Sequence, residues 1–280
     1  MTHDARSVEE AWLSETIQAF DENARDLSAK ELVAQLQAQE AGQSDTGRII
    51  AFAGLGDSII RSATAAMRLC ADGDVGSAYV VSRALVEQAV TFIYLTVCSD
   101  DEFTKWKLHG MQKGYRLLDR SKQIGEIAYR MSVTNVPAPA DIPGMAEALE
   151  MFTGRGGGER TRWSDVNLDD RISVIQRELP IPLVTTLLLS GLVNCYEIGA
   201  EVQHATYTAA TVQHLDTLGN RKSHLGVIRI TASGCVAAAG IAVGAKLGDE
   251  GVIDRFKTLL GENARAVVAA LEAERRSSSE

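Results

Sequence analysis

Two ionisable side chains stand four residues apart in an apolar stretch, as Arg83-Ala-Leu-Val-Glu87. Residues at this spacing lie on one face of a helix, where a guanidinium and a carboxylate can pair. A partly buried pair is costly unless it is well hydrogen-bonded, so it needs a reason. It is either a structural clamp that fixes helix register, or a site in which Arg83 holds an anion and Glu87 acts as base or metal ligand. Tyr94 continues the same stripe.

A second chemical group lies between Tyr196 and Tyr207 and includes Glu201 and His204. Helical spacing places Tyr196, His204 and Tyr207 on one stripe, with Glu201 beside it. A histidine in this setting is a candidate general acid or base, and equally a hydrogen-bonded core residue. Glu201-x-x-His204 is also the ligand spacing of di-iron bundles, which need that motif twice and two further glutamates. Glu87 is the one extra glutamate at hand, so we expect no metal and no cofactor.

A third group, Arg221 and Lys222, stands at the predicted start of a helix with His224 close behind. Free backbone N–H groups and basic side chains at a helix N-terminus are a common phosphate site. The alternative is a basic surface loop in which Asn220 or Ser223 caps the helix.

The elements that position these groups are predicted to be helices throughout. Apolar residues recur at helical spacing along most of the chain, and five prolines leave room for long helices. The sequence therefore predicts an all-α, single-domain bundle of about eight helices, the second, third, fourth and seventh at its centre. The main predicted helices cover residues 7–41, 46–69, 75–97, 99–131, 183–210, 221–247 and 249–275, with shorter ones at 143–152 and 168–179.

A Pro/Gly-rich irregular connection is predicted at residues 132–165, where three of the five prolines and the run Gly154-Arg-Gly-Gly-Gly stand. It is the best candidate for a mobile loop. We divide the chain into an acidic amphipathic N-terminal segment (1–45), a bundle core (46–275) and a frayed tail (276–280).

The bulk composition favours a cytoplasmic location and disfavours a membrane. Net charge is −9, so indiscriminate binding to nucleic acid or anionic lipid is not expected, although the predicted helix over 105–130 is locally basic. The first residues contain no apolar signal region. The most membrane-like stretch, 230–243, is too short to span a bilayer. The four cysteines are widely spaced and indicate reduced core thiols: Cys70, Cys98, Cys195 and Cys235.

These motifs together resemble an uncharacterised class of bacterial all-helical proteins known only as a domain of unknown function. The resemblance covers residues 50–210: Arg83 and Glu87 in R-A-L-x-E, Trp163 after the loop, and Tyr196 and His204 in Y-x-x-x-S-x-x-x-H. The serine of that pattern is Ala200 here. The resemblance implies that the Arg/Glu helix packs beside the Tyr/His helix, and it carries no activity. A looser likeness joins the chain to helical ribonucleases of toxin and defence systems, whose R-x4–6-H spacing is missing.

Two functions from different classes follow. In the first, the chain is a phosphodiester- or nucleotide-directed hydrolase of ribonuclease-like, defence or toxin type. His204 is then the acid/base, Arg83 stabilises phosphate charge, and Glu87 and Tyr196 orient them. The substrate contacts in this hypothesis are Tyr94, Glu201, Tyr207, Arg221 and Lys222.

In the second, the same cluster is a structural polar network in a non-catalytic interaction or regulatory protein. Close-packing glycines, Gly226, Gly234, Gly240 and Gly244, together with the N-terminal segment, also predict a homodimer. The partners we expect are thus a second copy and, in the enzyme hypothesis, a nucleotide or RNA.

Overall fold

The structure is a computed structural model that describes residues 47–204 and 221–277, together with Glu22. Apart from Glu22, the predicted helix at 7–41 lies outside this part, as do the tail residues 278–280 and Tyr207. Its helices are eight in number, and one two-stranded hairpin accompanies them, which confirms the all-α multi-helix prediction. The elements are α1 Gly47–Asp72, α2 Val75–Val97, α3 Asp100–Leu117, β1 Asp119–Ile124, β2 Ile127–Ser132, α4 Met145–Met151, α5 Leu168–Glu178, α6 Pro182–Gln203, α7 Arg221–Leu247 and α8 Glu250–Ser277.

The described residues form two compact units. The large unit contains α1, α2 and everything from Leu168 onward, and the small unit is Cys98–Asn167. We predicted a single domain over residues 46–275. This stays a prediction, since the structure divides the same range into these two units.

The large unit is built around α2 and α7. Helix α2 packs against α1, α5, α6 and α7, and α7 also contacts α1, α6 and α8. Residues 231–244 of α7 are all buried, as are Tyr79, Phe92 and most of α2. An apolar surface on every side is what a central helix needs. The predicted centre was therefore right for α2. The predicted seventh helix corresponds to α6, so the prediction omitted α7, and the predicted fourth helix, α3, belongs to the small unit.

The small residues of α7 let its neighbours come close within one chain. A Cβ at Gly240 would lie 2.3 Å from the ring of Phe256 on α8, and one at Gly244 would lie 2.9 Å from Ile253. Gly234 faces Leu187 of α6, and Gly226 faces open space. Gly240 and Gly244 therefore allow close contacts between helices of one chain. They do not support the homodimer, which stays a prediction.

The small unit begins with α3, and the predicted long helix to about residue 131 is wrong. The Ser99 hydroxyl accepts a hydrogen bond from the Glu102 N–H and caps the helix. Helix α3 ends at Leu117, and β1 and β2 then form an antiparallel hairpin with Ile124 opposite Ile127. Gly125, with φ +60°, is the first of two turn residues, as a type II′ hairpin requires.

An irregular connection follows the hairpin, as predicted. Between Ser132 and Leu168 the regular elements are α4 and a short 3-10 turn, Pro139–Asp141. An apolar cluster of Leu108, Ala148 and Phe152 anchors this connection to α3, with Trp163 packed against it.

Three helices of the described part are long and apolar enough to cross a membrane, by length and composition alone: Val75–Val97, Pro182–Gln203 and Ser223–Leu247. The prediction that the stretch 230–243 is too short is wrong, because the apolar helical segment that contains it, Ser223–Leu247, has 25 residues. Within the protein, 61%, 33% and 78% of the apolar windows of these helices are buried, so two of the three are mostly enclosed by protein.

Candidate functional site

Arg83 of α2 reaches across to α6 and holds it at two points. Its Nη1 donates a 2.6 Å hydrogen bond to the Oε1 atom of Gln203. Its guanidinium carbon lies 4.9 Å from the centre of the Tyr196 ring, a cation–π distance. The structure therefore brings Arg83 and Tyr196 together, as the hypothesis requires, and adds Gln203, which the sequence analysis missed.

The close approach of α2 and α6 depends on Gly199. A Cβ at this position would lie 2.5 Å from the Tyr79 carbonyl oxygen and 2.7 Å from the Cβ of Arg83. Real Cβ atoms do not come this near to backbone, so glycine is required. Tyr196, Gly199 and Gln203 follow the i, i+3, i+7 pattern of one helix face, and that face lies against α2.

A π turn includes the first residue of this contact, Tyr196. Residues Leu192–Tyr196 form a wider turn inside α6, between Pro182–Gly191 and Glu197–Gln203. A π turn changes the angular position of all later residues on the helix, and such bulges are frequent at functional sites. Here the π turn determines which face of Glu197–Gln203 lies against Arg83.

Glu87 does not take part in the contact. Its side chain is exposed, and no ion pair with Arg83 exists within the described part of the chain. The expected Arg83–Glu87 pair is therefore absent, because the Arg83 side chain turns away from its own helix toward Gln203. Glu87 keeps its place in the hydrolase hypothesis only as a surface carboxylate.

His204 is the last described residue of this region and is exposed. Its backbone N–H bonds to the Ala200 carbonyl at 3.0 Å and closes α6. Glu201 is exposed one turn earlier. Gln203, the neighbour of His204, occupies the hydrogen-bonding position at Arg83. Arg221 and Lys222 do begin α7, as predicted, while their side chains lie outside the described residues.

Tyr94 is buried and belongs to a different contact. The guanidinium carbon of Arg171 on α5 lies 6.0 Å from its ring, and Arg171 Nη1 lies 3.4 Å from the Thr91 hydroxyl. At about 1.5 Å per residue, Tyr94 stands roughly 16 Å along α2 from Arg83. Helix α2 therefore carries two separate arginine–aromatic contacts. A substrate role for Tyr94 stays a prediction, and its separation from Arg83 does not favour a shared site.

One turn before Arg83, Tyr79 ties α2 to α7. Its hydroxyl lies 2.7 Å from the Nδ1 atom of His224, and the two rings meet edge to face. Burial raises the pKa of Tyr79, and nearby Cys195 and Cys70 add to the effect. Burial likewise raises the pKa of Cys195 to about 11, so this thiol stays protonated. The sequence analysis noted His224 and missed this pairing.

Within residues that the structure describes, no three His, Cys, Asp or Glu side chains converge to hold a metal. The model of a family of unknown function, DUF5677, matches residues 50–218, a span that contains Arg83, Tyr196, Gln203 and His204. No curated protein and no solved structure gives a significant match. The comparisons therefore assign the chain to this family and do not indicate an activity.

Proposed function

We propose, from the premise that this chain belongs to DUF5677, a family of unknown function, that it is a non-catalytic interaction or regulatory protein. In this proposal the Arg83 clamp, defined as Arg83, Tyr196, Gly199 and Gln203, is a structural device that joins α2 to α6.

The observation that carries the proposal is the pairing of Arg83 with its own protein. A guanidinium that stabilises a developing phosphate charge must have donors directed at the substrate. One Nη of Arg83 is engaged by Gln203 and the face of the group by Tyr196. The hydrogen bond and the cation–π contact are each worth about 1 kcal/mol at a partly exposed site. They stabilise one arrangement of two helices that already touch at Gly199.

The hydrolase remains the second candidate because of two specific observations. The Nε atom of Arg83 is buried and has no hydrogen-bond partner in the described part of the chain. His204 is exposed beside Gln203, so its imidazole is accessible to solvent. In this alternative His204 is the general acid or base, and the Arg83 Nε–H donates to the substrate phosphate after a rearrangement that exposes this buried atom.

A cleavage assay separates the two. Purified full-length protein, His204→Ala and Arg83→Lys are incubated with single-stranded RNA and with nucleoside triphosphates, and folding is checked by circular dichroism. We expect the same background rate in all three proteins. Turnover by the wild type that is lost in a folded His204→Ala variant would overturn the proposal, and Glu87→Gln serves as a variant at an exposed site that the clamp does not use.

A cytoplasmic location is part of the proposal. Helices α2 and α7 are apolar enough to span a membrane, yet both bury most of their residues against other helices of the large unit. Such a core resembles that of a soluble bundle. Cell fractionation tests this: we expect the full-length chain in the soluble fraction without detergent, and recovery only from membranes would contradict it.

The homodimer is proposed on the exposed apolar side chains of the large unit. Leu189 and Val193 of α6 are 45% and 60% exposed and lie four residues apart on one face. Light scattering of the full-length chain and of Leu189→Glu measures the effect. We expect a dimer that the glutamate dissociates, and an unchanged mass would place any interface elsewhere.

A further inference from the structure

The small unit contains an open cleft with a volume of about 600 Å³. Its wall is formed by α3 and by the irregular connection, with contributions from Lys105, Phe152, Arg160, Arg162 and Trp163. Clefts of a few hundred to a thousand cubic ångströms are the usual size for small-molecule ligands. This cleft lies outside the Arg83 clamp and none of the residues discussed as catalytic line it.

Two guanidinium groups at the cleft are available for a ligand. Arg160 and Arg162 are both exposed, and neither forms an ion pair with any residue in the ranges that the structure describes. An arginine side chain presents a planar fork of donors that matches phosphate geometry. Two of them, two residues apart at one cleft, suit the binding of a phosphate group.

Most of the carboxylates that line the cleft already have a hydrogen-bond or ion-pair partner within the protein. Glu102 accepts a hydrogen bond from the Ser164 hydroxyl at 2.9 Å and pairs with Lys105 at 3.1 Å. Glu159 pairs with Lys113 at 2.9 Å, and this contact holds the pKa of Glu159 below its ordinary value. Asp165 is the lining carboxylate without such a partner in the described contacts, and it is exposed.

A polar network fixes the wall of the cleft. Arg116 donates to the Gln112 side chain and to the Thr153 hydroxyl, both at 2.6 Å, and Gln112 donates to Glu159 at 3.2 Å. Gln112 is fully buried. The segment that carries Arg160 is also held by its N–H, which bonds to the Phe152 carbonyl at 2.9 Å. The arginines therefore project from an ordered backbone.

Next to the arginines is an aromatic surface. Trp163 is partly exposed at the cleft and packs on Phe152 and its apolar cluster, which restricts the indole. An aromatic face beside arginines is the chemistry that recognises nucleotides, because a base stacks on the ring while the phosphate takes the guanidinium groups.

We propose that this cleft binds a free nucleotide, with its phosphate at Arg160 and Arg162 and its base against Trp163. To Asp165, which also lines the cleft, we assign the acceptance of a hydrogen bond from the base or the ribose. The inference goes beyond the proposed role of the Arg83 clamp and does not rest on it, since the two sets of residues are separate.

Calorimetric titration of the full-length protein tests the proposal. The probes are the four nucleoside 5′-monophosphates, the matching nucleosides and inorganic phosphate. We expect at least one monophosphate to bind, and both of its fragments to bind at least tenfold more weakly. The double variant Arg160→Gln/Arg162→Gln should lower affinity at least tenfold and Trp163→Phe severalfold, while Arg155→Gln, an exposed arginine outside the cleft, should match the wild type.

Three outcomes would overturn it. The first is no binding of any monophosphate at millimolar concentration. The second is equal binding of inorganic phosphate, which would remove the base contact. The third is affinity that survives the double arginine variant, with folding verified by thermal melting. Where the first outcome occurs, a further titration with a single-stranded RNA that shows binding would identify a nucleic acid, rather than a free nucleotide, as the ligand. None of these results bears on the stability of the Arg83 clamp.

Discussion

The two units hold their helices together in different ways. In the large unit, the glycines at the α2–α6 and α7–α8 contacts have no room for a methyl group, as Gly199 and Gly240 show. In the small unit, Gly110, Gly114 and Gly125 face open space, and polar side chains such as Arg116 link the segments. Close packing makes the large unit sensitive to single methyl groups, whereas the small unit leaves surface for a ligand.

The largest effect is expected at Gly240. In Gly240→Ala the new Cβ would overlap the buried ring of Phe256, which cannot move without opening the α7–α8 contact. We expect a loss of about 2–3 kcal/mol in the free energy of unfolding, the usual upper range for overpacking. Denaturant titration measures it. Gly226→Ala on the same helix is the matched control, because its Cβ would meet open space, and should leave stability unchanged or raise it by up to about 1 kcal/mol.

Next in size is the Tyr79–His224 link. Tyr79→Phe removes the hydroxyl that lies 2.7 Å from the imidazole and keeps the buried ring. The expected loss is about 1 kcal/mol, the usual worth of one hydrogen bond. Thermal melting should show the decrease, while Tyr129→Phe, on the exposed hairpin, should show none. Equal melting temperatures for Tyr79→Phe and the wild type would mean that the contact does not join α2 to α7 energetically.

A pH dependence should come from His109 in the small unit. Burial, followed by the Lys113 charge, lowers the pKa of His109, while Glu159 and the backbone at 160–161 act the other way. Because the pKa of His109 is lower in the folded protein, the unfolded chain binds a proton at His109 first as pH falls below about 6.5. Acidification therefore favours the unfolded state and lowers the stability of the protein. We expect wild type to lose more stability than His109→Gln between pH 8 and pH 5, and parallel losses would contradict this.

The smallest effect is expected at the hairpin tip. Ile124 and Ile127 are 80% and 79% exposed, so replacing either with threonine should change stability by less than about 0.5 kcal/mol. Ile175→Thr, at a fully buried position of α5, should instead cost about 2 kcal/mol. A clear destabilisation by Ile124→Thr would show that the tip is covered in solution and would break the contrast between the units.

Much of the fold was accessible from sequence because its helices are long and strongly periodic. The range of α2 and the first residue of α3 were predicted closely. The hairpin was missed because Arg, Lys, Gln and Glu around Gly125 suit a basic helix as well as a strand. Its signal was present, since Ile-Gly-Glu-Ile allows a two-residue turn.

The candidate site was predictable only in part. Spacing along one helix suggested Arg83 with Glu87, while the actual partner stands on another helix. That choice depends on the rotation introduced by the π turn at Leu192–Tyr196, which no residue spacing reveals. The family resemblance implied only that the helix of Arg83 packs beside the helix of Tyr196, and Gly199 was the available clue to a close helix contact.

The most direct test of the Arg83 clamp is a pair of double-mutant cycles on unfolding free energy. One cycle combines Arg83→Lys with Gln203→Ala, and the other combines Arg83→Lys with Glu87→Gln. The structure predicts a coupling of about 1 kcal/mol between Arg83 and Gln203 and none between Arg83 and Glu87. No coupling with Gln203, or a coupling with Glu87 instead, would contradict the clamp.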